Sequence, residues 1–488
     1  MKLKPPPVHH RGFASVALIV GVLVAVLSVS GCASFKLPTV TSAPVAAPAT
    51  WQAPAPHQGS TTDLTQWWSQ FNDPLLPRLI AAAQEASPSV SAAKSRIEQS
   101  RAARVAAGAA LGPSLTAQGG AVRGAEGAGS PATSLNTGLN AGWEIDVFGG
   151  AAAGRDAAQA RLSGSEMLWH DARVSVAAEV ATQYTFLRAC EATLAQVQLD
   201  ASSRSETARL TDLTAKAGFT APAQAALSRA SAAQGNSQLT QQRALCDGLV
   251  KSLVFLTGAE EAALRAQLNT ARGVMAQPAQ ISIPSVPAAL LRQRPDLGNA
   301  ERELLAASGD IRQAQAARLP RIALNGSIGA ARITAGGFTN SDSTWSLGPL
   351  SVSLPLFDGG SRQAQVSAAQ ARHTDATVQY NAKLRGAVRE VEDALIAIKS
   401  TADRNGDALV ATEGFAASLR ATDARYKGGL ATLFELEDAR RSAVQAQTAL
   451  IDLQRERVTA WITLYRALGG GWSAEASALA LNGPTPRP

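Results

Sequence analysis

Glu435 and Asp438 stand three residues apart, just past the stretch Tyr426-Lys-Gly-Gly-Leu-Ala-Thr-Leu-Phe that separates two long segments rich in Ala and Leu. On a helix that spacing puts both carboxylates on one face, about a turn beyond the tip of a hairpin. Paired carboxylates there would attract cations. Equally, they would make an ordinary solvated helix face near the positive end of the helix dipole. Glu437 lies between them and is expected to point elsewhere. A cruder copy of the turn occurs earlier, at Lys216-Ala-Gly-Phe-Thr-Ala-Pro222, and its matching residues Ala223 and Gln224 carry no acid. That asymmetry singles out the second tip.

The cysteines allow covalent chemistry. Cys190 and Cys246 each lie 28 residues from Gly218, on opposite arms of the first turn. In an antiparallel helical hairpin they sit at the same height, and if both face inward they can meet disulfide geometry. The alternative is two buried thiols in a seam of small residues. Cys32 closes the segment Val29-Ser30-Gly31-Cys32, directly behind the apolar run Ala14–Val29 and a basic start. Residues 1–31 therefore read as a signal peptide with a lipobox, which leaves Cys32 acylated as the first mature residue. An ordinary secretory signal or a single spanning anchor is the other reading. Buried acyl chains contribute ~0.8 kcal/mol per methylene, enough together for a stable anchor. Ala33 after the cysteine fits outer-membrane sorting, and the oxidising periplasm favours a disulfide.

Enzyme chemistry finds no support. His57, His170 and His373 are scattered with no ligand spacing, so no metal site is expected. Ser91-Ala-Ala-Lys94 fits S-x-x-K but stands in a helical run without a supporting motif. No phosphate loop or nucleotide fingerprint occurs. No catalytic residue and no cofactor are expected apart from the covalent lipid. The net charge of +7 falls to +4 without Lys2, Lys4 and Arg11, too little to suggest a nucleic-acid partner.

The elements that must position these groups follow in order. Residues 32–62 form a Pro/Ala/Ser/Thr-rich tether, and structure is expected from Trp67-Trp68 and a short helix at 75–86. Pro88 opens a helix that Gly112-Pro113 stops. Gly-rich alternating segments at 115–123 and 135–148 read as strands around a loop at 124–134. From Ala151 to Ala217 no proline interrupts 67 residues, about 100 Å of helix. The chain turns at Gly218 and returns to Thr257 before a proline-containing linker at 273–293. Then the series restarts. Pro113 and Pro320 lie 207 apart, Gly218 and Gly429 lie 211 apart, and Gly258 and Gly470 lie 212 apart. Landmarks in one order with so little drift indicate an internal duplication of 63–272 in 294–472, leaving a tail at 473–488. In the second half the strands are expected at 321–332 and 345–357, around a loop at 333–344. Ala443, Ala446, Leu450, Leu453, Trp461, Leu464 and Leu468 follow a heptad-like spacing that suggests coiled-coil packing.

No segment after the signal has eighteen consecutive apolar residues, so any membrane crossing must be a closed barrel. Four strands cannot close one. Three chains would supply twelve strands, and partners for the apolar seams of the long hairpins.

The chain resembles the TolC-type outer-membrane factor family, in its NodT/OprM-like efflux lipoprotein branch. The resemblance covers nearly all of 63–472. It rests on the lipobox at Cys32, Leu290-Leu-Arg-Gln-Arg-Pro-Asp296, Leu354-Pro-Leu-Phe-Asp-Gly-Gly360, Arg425-Tyr-Lys-Gly-Gly429 and Leu464-Tyr-Arg-Ala-Leu-Gly-Gly-Gly-Trp472. It implies an α+β membrane protein: a homotrimer sharing one twelve-stranded β-barrel, continued by a periplasmic α-helical coiled-coil barrel. The implied role is a passive exit duct of a tripartite efflux system, with a periplasmic adaptor and an inner-membrane pump, RND-type favoured. By the same resemblance Glu435 and Asp438 ring the periplasmic constriction, with Glu where Asp is more usual, and Tyr426 matches a tyrosine linked to closure. Ala431 stands where some members carry a gate-locking arginine. The tips, Lys216, Gly218 and Phe219 with Lys427, Gly428, Gly429 and Leu430, would meet the adaptor. A type I protein-secretion channel remains an alternative within the family. A periplasmic coiled-coil structural lipoprotein remains one outside it, against which the strand pairs argue.

Overall fold

A computed structural model describes residues 64–125, 131–275, 291 and 293–470. Cys32, the signal peptide, the tether, most of the 273–293 linker and the tail lie outside the described residues.

Each half runs helix, strand, strand, very long helix, shorter helix. The first has α1 (Leu75–Ala86), α2 (Pro88–Ala109), β1 (Ser114–Gly124), β2 (Ala132–Ile145), α3 (Gly150–Lys216), α4 (Pro222–Thr257) and α5 (Glu261–Leu268). The second has α6 (Pro295–Ala316), β3 (Arg321–Ala335), β4 (Phe338–Ser353), α7 (Ser361–Lys427) and α8 (Leu433–Ala467). Pro88, Pro222 and Pro295 each stand in a first helical turn, where the missing N–H costs nothing. The two 67-residue helices, α3 and α7, start alike. Gly149 and Gly360 turn the chain at φ 71° and 87°, and an acid caps the new helix. Asp146 accepts from the N–H groups of Ala151 and Ala152 at 3.1 and 2.7 Å, and Asp358 from those of Gly360 and Arg362 at 3.0 and 3.1 Å.

The four strands form one antiparallel sheet in the order β1-β2-β3-β4, so β2 and β3 join the two halves. The expected loop at 333–344 is instead strand. Polar residues 339–344 mask the alternation, but they pair with β3, and only Gly336-Gly337 forms the turn. Both glycines have positive φ, 58° and 84°, as the tightest hairpin turn requires. β4 also ends earlier than expected, at Ser353, two residues before Pro355, which has no N–H to donate to the ladder.

The register sorts the residues into two unlike faces. Directly opposed residues share a face, so Leu115, Leu139, Trp143, Ile328, Trp345 and Leu350 lie on one with their apolar neighbours. The other face carries Thr116, Gln118, Asn136, Asn140, Asn325, Ser346 and Ser351. Within the chain the apolar face is bare: Trp345 is 79% exposed and Leu347 80%.

The core lies where the helices overlap. Trp67 stacks on Trp461 and Tyr465 at ring distances of 6.3 and 5.7 Å, pinning the start of the first half to α8. Around it pack Leu76, Leu187, Leu253, Leu395 and Leu464, all nearly inaccessible. Of the heptad positions, Leu450, Leu453, Trp461, Leu464 and Leu468 are buried, and Val458 fills the cycle that Arg457 interrupts. Arg188, fully buried on α3, donates to Glu191, Tyr184 and the Leu268 carbonyl, which ties down the end of α5. Among the described residues no helix is long and apolar enough to cross a membrane, and no group of His, Cys, Asp or Glu could hold a metal ion.

Candidate functional site at the hairpin tips

Both tips are built the same way. After α3 the Gly218 N–H donates to the Ala215 carbonyl at 3.0 Å and the Phe219 N–H to Thr214 at 2.9 Å. After α7 the Gly429 N–H donates to Tyr426 at 3.0 Å and the Leu430 N–H to Arg425 at 2.8 Å. These paired bonds close a Schellman cap, whose left-handed residue is glycine in each tip, with φ of 81° at Gly218 and 73° at Gly429. The residue after each glycine is left pointing into solvent: Phe219 is 85% exposed and Leu430 74%. Lys216 and Lys427 pair with Asp212 and Asp423 one turn back, at 2.9 and 2.7 Å.

Glu435 serves its own helix. Its carboxylate accepts from the Thr432 N–H at 2.6 Å and the Thr432 hydroxyl at 2.9 Å, while the Glu435 N–H donates back to that hydroxyl at 3.2 Å. This is a capping box that satisfies two donors at the start of α8. The Thr432 backbone N–H, then its hydroxyl, then nearby Arg425 hold the Glu435 carboxyl below its usual range. Asp438 is exposed, with Arg441 3.7 Å away. The Tyr426 hydroxyl lies 3.3 Å from that of Thr211 on α3, a contact between the two hairpins.

The residue expected to point elsewhere is the one that binds the hairpins together. Glu437 accepts from Arg204 of α3 and Ser231 of α4, both at 2.8 Å, and from Arg440 of its own helix at 2.9 Å. Arg204 also donates to Asp200 at 2.7 Å, and Arg440 to Ser203 and Thr207 at 2.9 and 2.8 Å. Gly235 makes the room, since a Cβ there would lie 3.0 Å from Arg204 Cδ. Two arginines and two acids, none with more than 15% of its side chain exposed, thus form a paired cluster between α3 and α8, to which Ser231 joins α4. Helical spacing identifies which residues share a face with Glu437. It carries no mark of the neighbouring hairpin that this face meets.

Higher in the first hairpin, Cys190 and Cys246 are joined by a disulfide, with Cα atoms 5.6 Å apart. It joins residues 56 apart in sequence and closes a loop that contains the whole first tip. Thr401 is the matching residue on α7, and the second hairpin has no cysteine.

The family model for outer membrane efflux proteins matches residues 79–259 and 286–470. Outer membrane protein OprJ of Pseudomonas aeruginosa is 31% identical over 93% of this chain and 96% of its own length. Pyoverdine export outer membrane protein OpmQ of Pseudomonas putida is 28% identical over 92% and 97%. Among solved structures, that of the outer-membrane channel OprN superposes with a TM-score of 0.79 at 26% identity, covering 90% of this chain and 98% of that one.

Proposed function

Since the chain belongs to the outer membrane efflux protein family and is therefore an outer-membrane efflux channel, we propose that three copies close one twelve-stranded barrel and extend it as a helical duct across the periplasm. The family is one of channels, not of enzymes. The observation that carries the trimer is the two-faced sheet with β1 and β4 each open at one edge. A sheet whose apolar face is bare and whose edges are unpaired is stable in a bilayer only when closed. The apolar residues extend from Ile145 to Leu135 along β2, about ten residues, which at ~3.4 Å each and a tilt of ~40° cover about 26 Å, the height of a barrel's lipid band. The opposite, Ser-, Thr- and Asn-rich face would line a largely neutral lumen, suited to small molecules of varied charge.

Cys32 would carry the lipid that anchors the chain in the outer membrane. The exposed Phe219 and Leu430, on Gly-rich tips that allow close backbone approach, support docking of a periplasmic adaptor. An inner-membrane pump, RND-type favoured, would supply the energy. Three copies of Glu435 and Asp438, with Tyr426 beside them, would form the narrow cation-attracting constriction at the tips. The test is native mass spectrometry of the detergent-extracted protein together with planar-bilayer conductance. A trimer is expected, and Glu435→Ala with Asp438→Ala should raise the single-channel conductance. A monomer without conductance would sink the proposal, and a trimer whose conductance the double variant leaves unchanged would remove these residues from the gate.

A further inference from the structure

Among the described strand residues, the apolar face of the sheet carries two charges, and both are positive. The register puts Arg123 of β1 and Arg332 of β3 on that face, with Leu139, Ile328 and Trp345, and sends Glu144 and Asp342 to the opposite one. Both arginines are exposed, and among the described residues neither has an ion-pair or hydrogen-bond partner. They also share one end of the sheet. The helices attach where β1 starts and β2 ends, whereas Arg123 and Arg332 stand near the end of β1 and the end of β3, farthest from the helices. Resting on the barrel reading above, which turns this face to lipid and this end outward, we propose that Arg123 and Arg332 bind the phosphorylated head group of a lipid in the outer leaflet of the membrane.

The surroundings are arranged in rows across the strands, each two residues, or ~7 Å, from the next. The outermost row is Arg123, Thr133, Thr334 and Thr339, in which the two hydroxyls of Thr334 and Thr339 lie 3.1 Å apart. Arg332 stands in the second row, between Leu135 and Ser341. The third row, Gly119, Thr137, Ala330 and Ser343, has no large side chain. The missing bulk leaves a shallow groove of about 380 Å³, with Arg332 and Ser341 at its outer rim, Leu135 beside them, and Thr137, Ala330 and Ser343 below. Under the groove the apolar band resumes with Leu139, Ile328 and Trp345.

Each layer matches one part of a phosphorylated lipid. A guanidinium offers two parallel N–H donors to phosphate oxygens, a geometry that suits phosphate better than an ammonium does. Arg123 and Arg332 are two strands and two residues apart, which puts their Cα atoms ~12 Å from each other, within the combined reach of two arginine side chains around one head group. The hydroxyls of Thr137, Ser341 and Ser343 face the level where ester or amide carbonyls join head group to acyl chain, and the apolar band receives the chain itself. Depth alone does not account for the pattern. A charge near the interface costs a barrel little, and acids cost less than arginine, so mere tolerance would admit either sign. Two unpaired cations with no acid on the same face instead complement an anionic head group.

Native mass spectrometry of the full-length trimer, stripped of lipid in detergent and titrated with diphosphoryl lipid A, tests the site. The lipid is expected to bind, and dephosphorylated lipid A to bind about tenfold or more weakly, the worth of one charge-assisted contact. Arg123→Gln with Arg332→Gln should lose the same factor for the phosphorylated lipid, and Arg123→Lys with Arg332→Lys should recover part of it. Arg321→Gln, on the opposite face beside Glu144, should bind as wild type does. A trimer that binds both lipids equally, or whose glutamine double variant binds as tightly as wild type, overturns the site while the barrel reading stands. Displacement of the lipid by equimolar inorganic phosphate would make the arginines a site for the free anion and overturns the lipid. A protein that never forms a trimer overturns both the site and the barrel reading beneath it.

Discussion

Replacing Glu437 with alanine removes the acceptor for Arg204, Ser231 and Arg440 at one stroke. Arg204 keeps Asp200, but Arg440 is left with only hydroxyl partners, its side chain 5% exposed. Breaking a buried charge pair by deleting one partner costs about 3–5 kcal/mol. Taking the lower bound, because the cluster retains one acid and three hydroxyls, separation of the two hairpins becomes easier by ~3 kcal/mol in each protomer. At ~1.4 kcal/mol per tenfold, that shifts the equilibrium about a hundredfold per tip. Glu437→Gln keeps the size and one acceptor oxygen and should cost about 1–2 kcal/mol, roughly tenfold. The assay is single-channel conductance in planar bilayers, with entry of a bulky antibiotic into intact cells as its cellular counterpart. Alanine should open the channel more than glutamine, and glutamine more than wild type. A double-mutant cycle with Arg204→Ala should return a coupling of about 1–3 kcal/mol in thermal stability. If the alanine variant has a lowered thermal midpoint but wild-type conductance, the cluster staples the hairpins without gating them. If neither changes, the reasoning from buried charge is refuted.

Removing the disulfide with Cys190→Ala and Cys246→Ala should destabilise the first hairpin by about 4 kcal/mol if loop-closure entropy over its 56-residue separation dominates. A reductant should lower the thermal midpoint of the native protein and leave that of the double variant alone; equal alkylation of both thiols in unreduced, denatured protein would exclude the bond. Burial, aided by the neighbouring positive charge of Arg173, lowers the His170 pKa to about 4. The unfolded chain, titrating near ~6.5, therefore binds the proton first. The stability His170 contributes is complete above ~6.5 and declines as the pH falls towards 4. His170→Gln should flatten thermal midpoints across that window, and an unaltered slope would assign the acid sensitivity to other groups.

The sequence by itself determined the duplication, the two long hairpins and their turns, because these depend on local rules. Proline and glycine placement ends helices, heptad spacing marks the buried stripe, and Gly218 and Gly429 supply the left-handed residue that each tip needs. The equal distances from Gly218 to Cys190 and Cys246 made their meeting legible before any coordinates, since helical rise converts residue count directly into height. Tertiary structure decided what spacing leaves open. Residues 339–344 became strand because β3 offered partners, and the joining of β2 to β3 depends on how the halves dock. At the second tip, Glu435 and Asp438 drew attention by their shared face, yet Glu435 is turned back to cap its own helix. Glu437 points into the neighbouring hairpin, binding Arg204 and Ser231 there and Arg440 on its own helix. The reason is geometric: helical periodicity states which side chains share a face, and only packing states what that face meets.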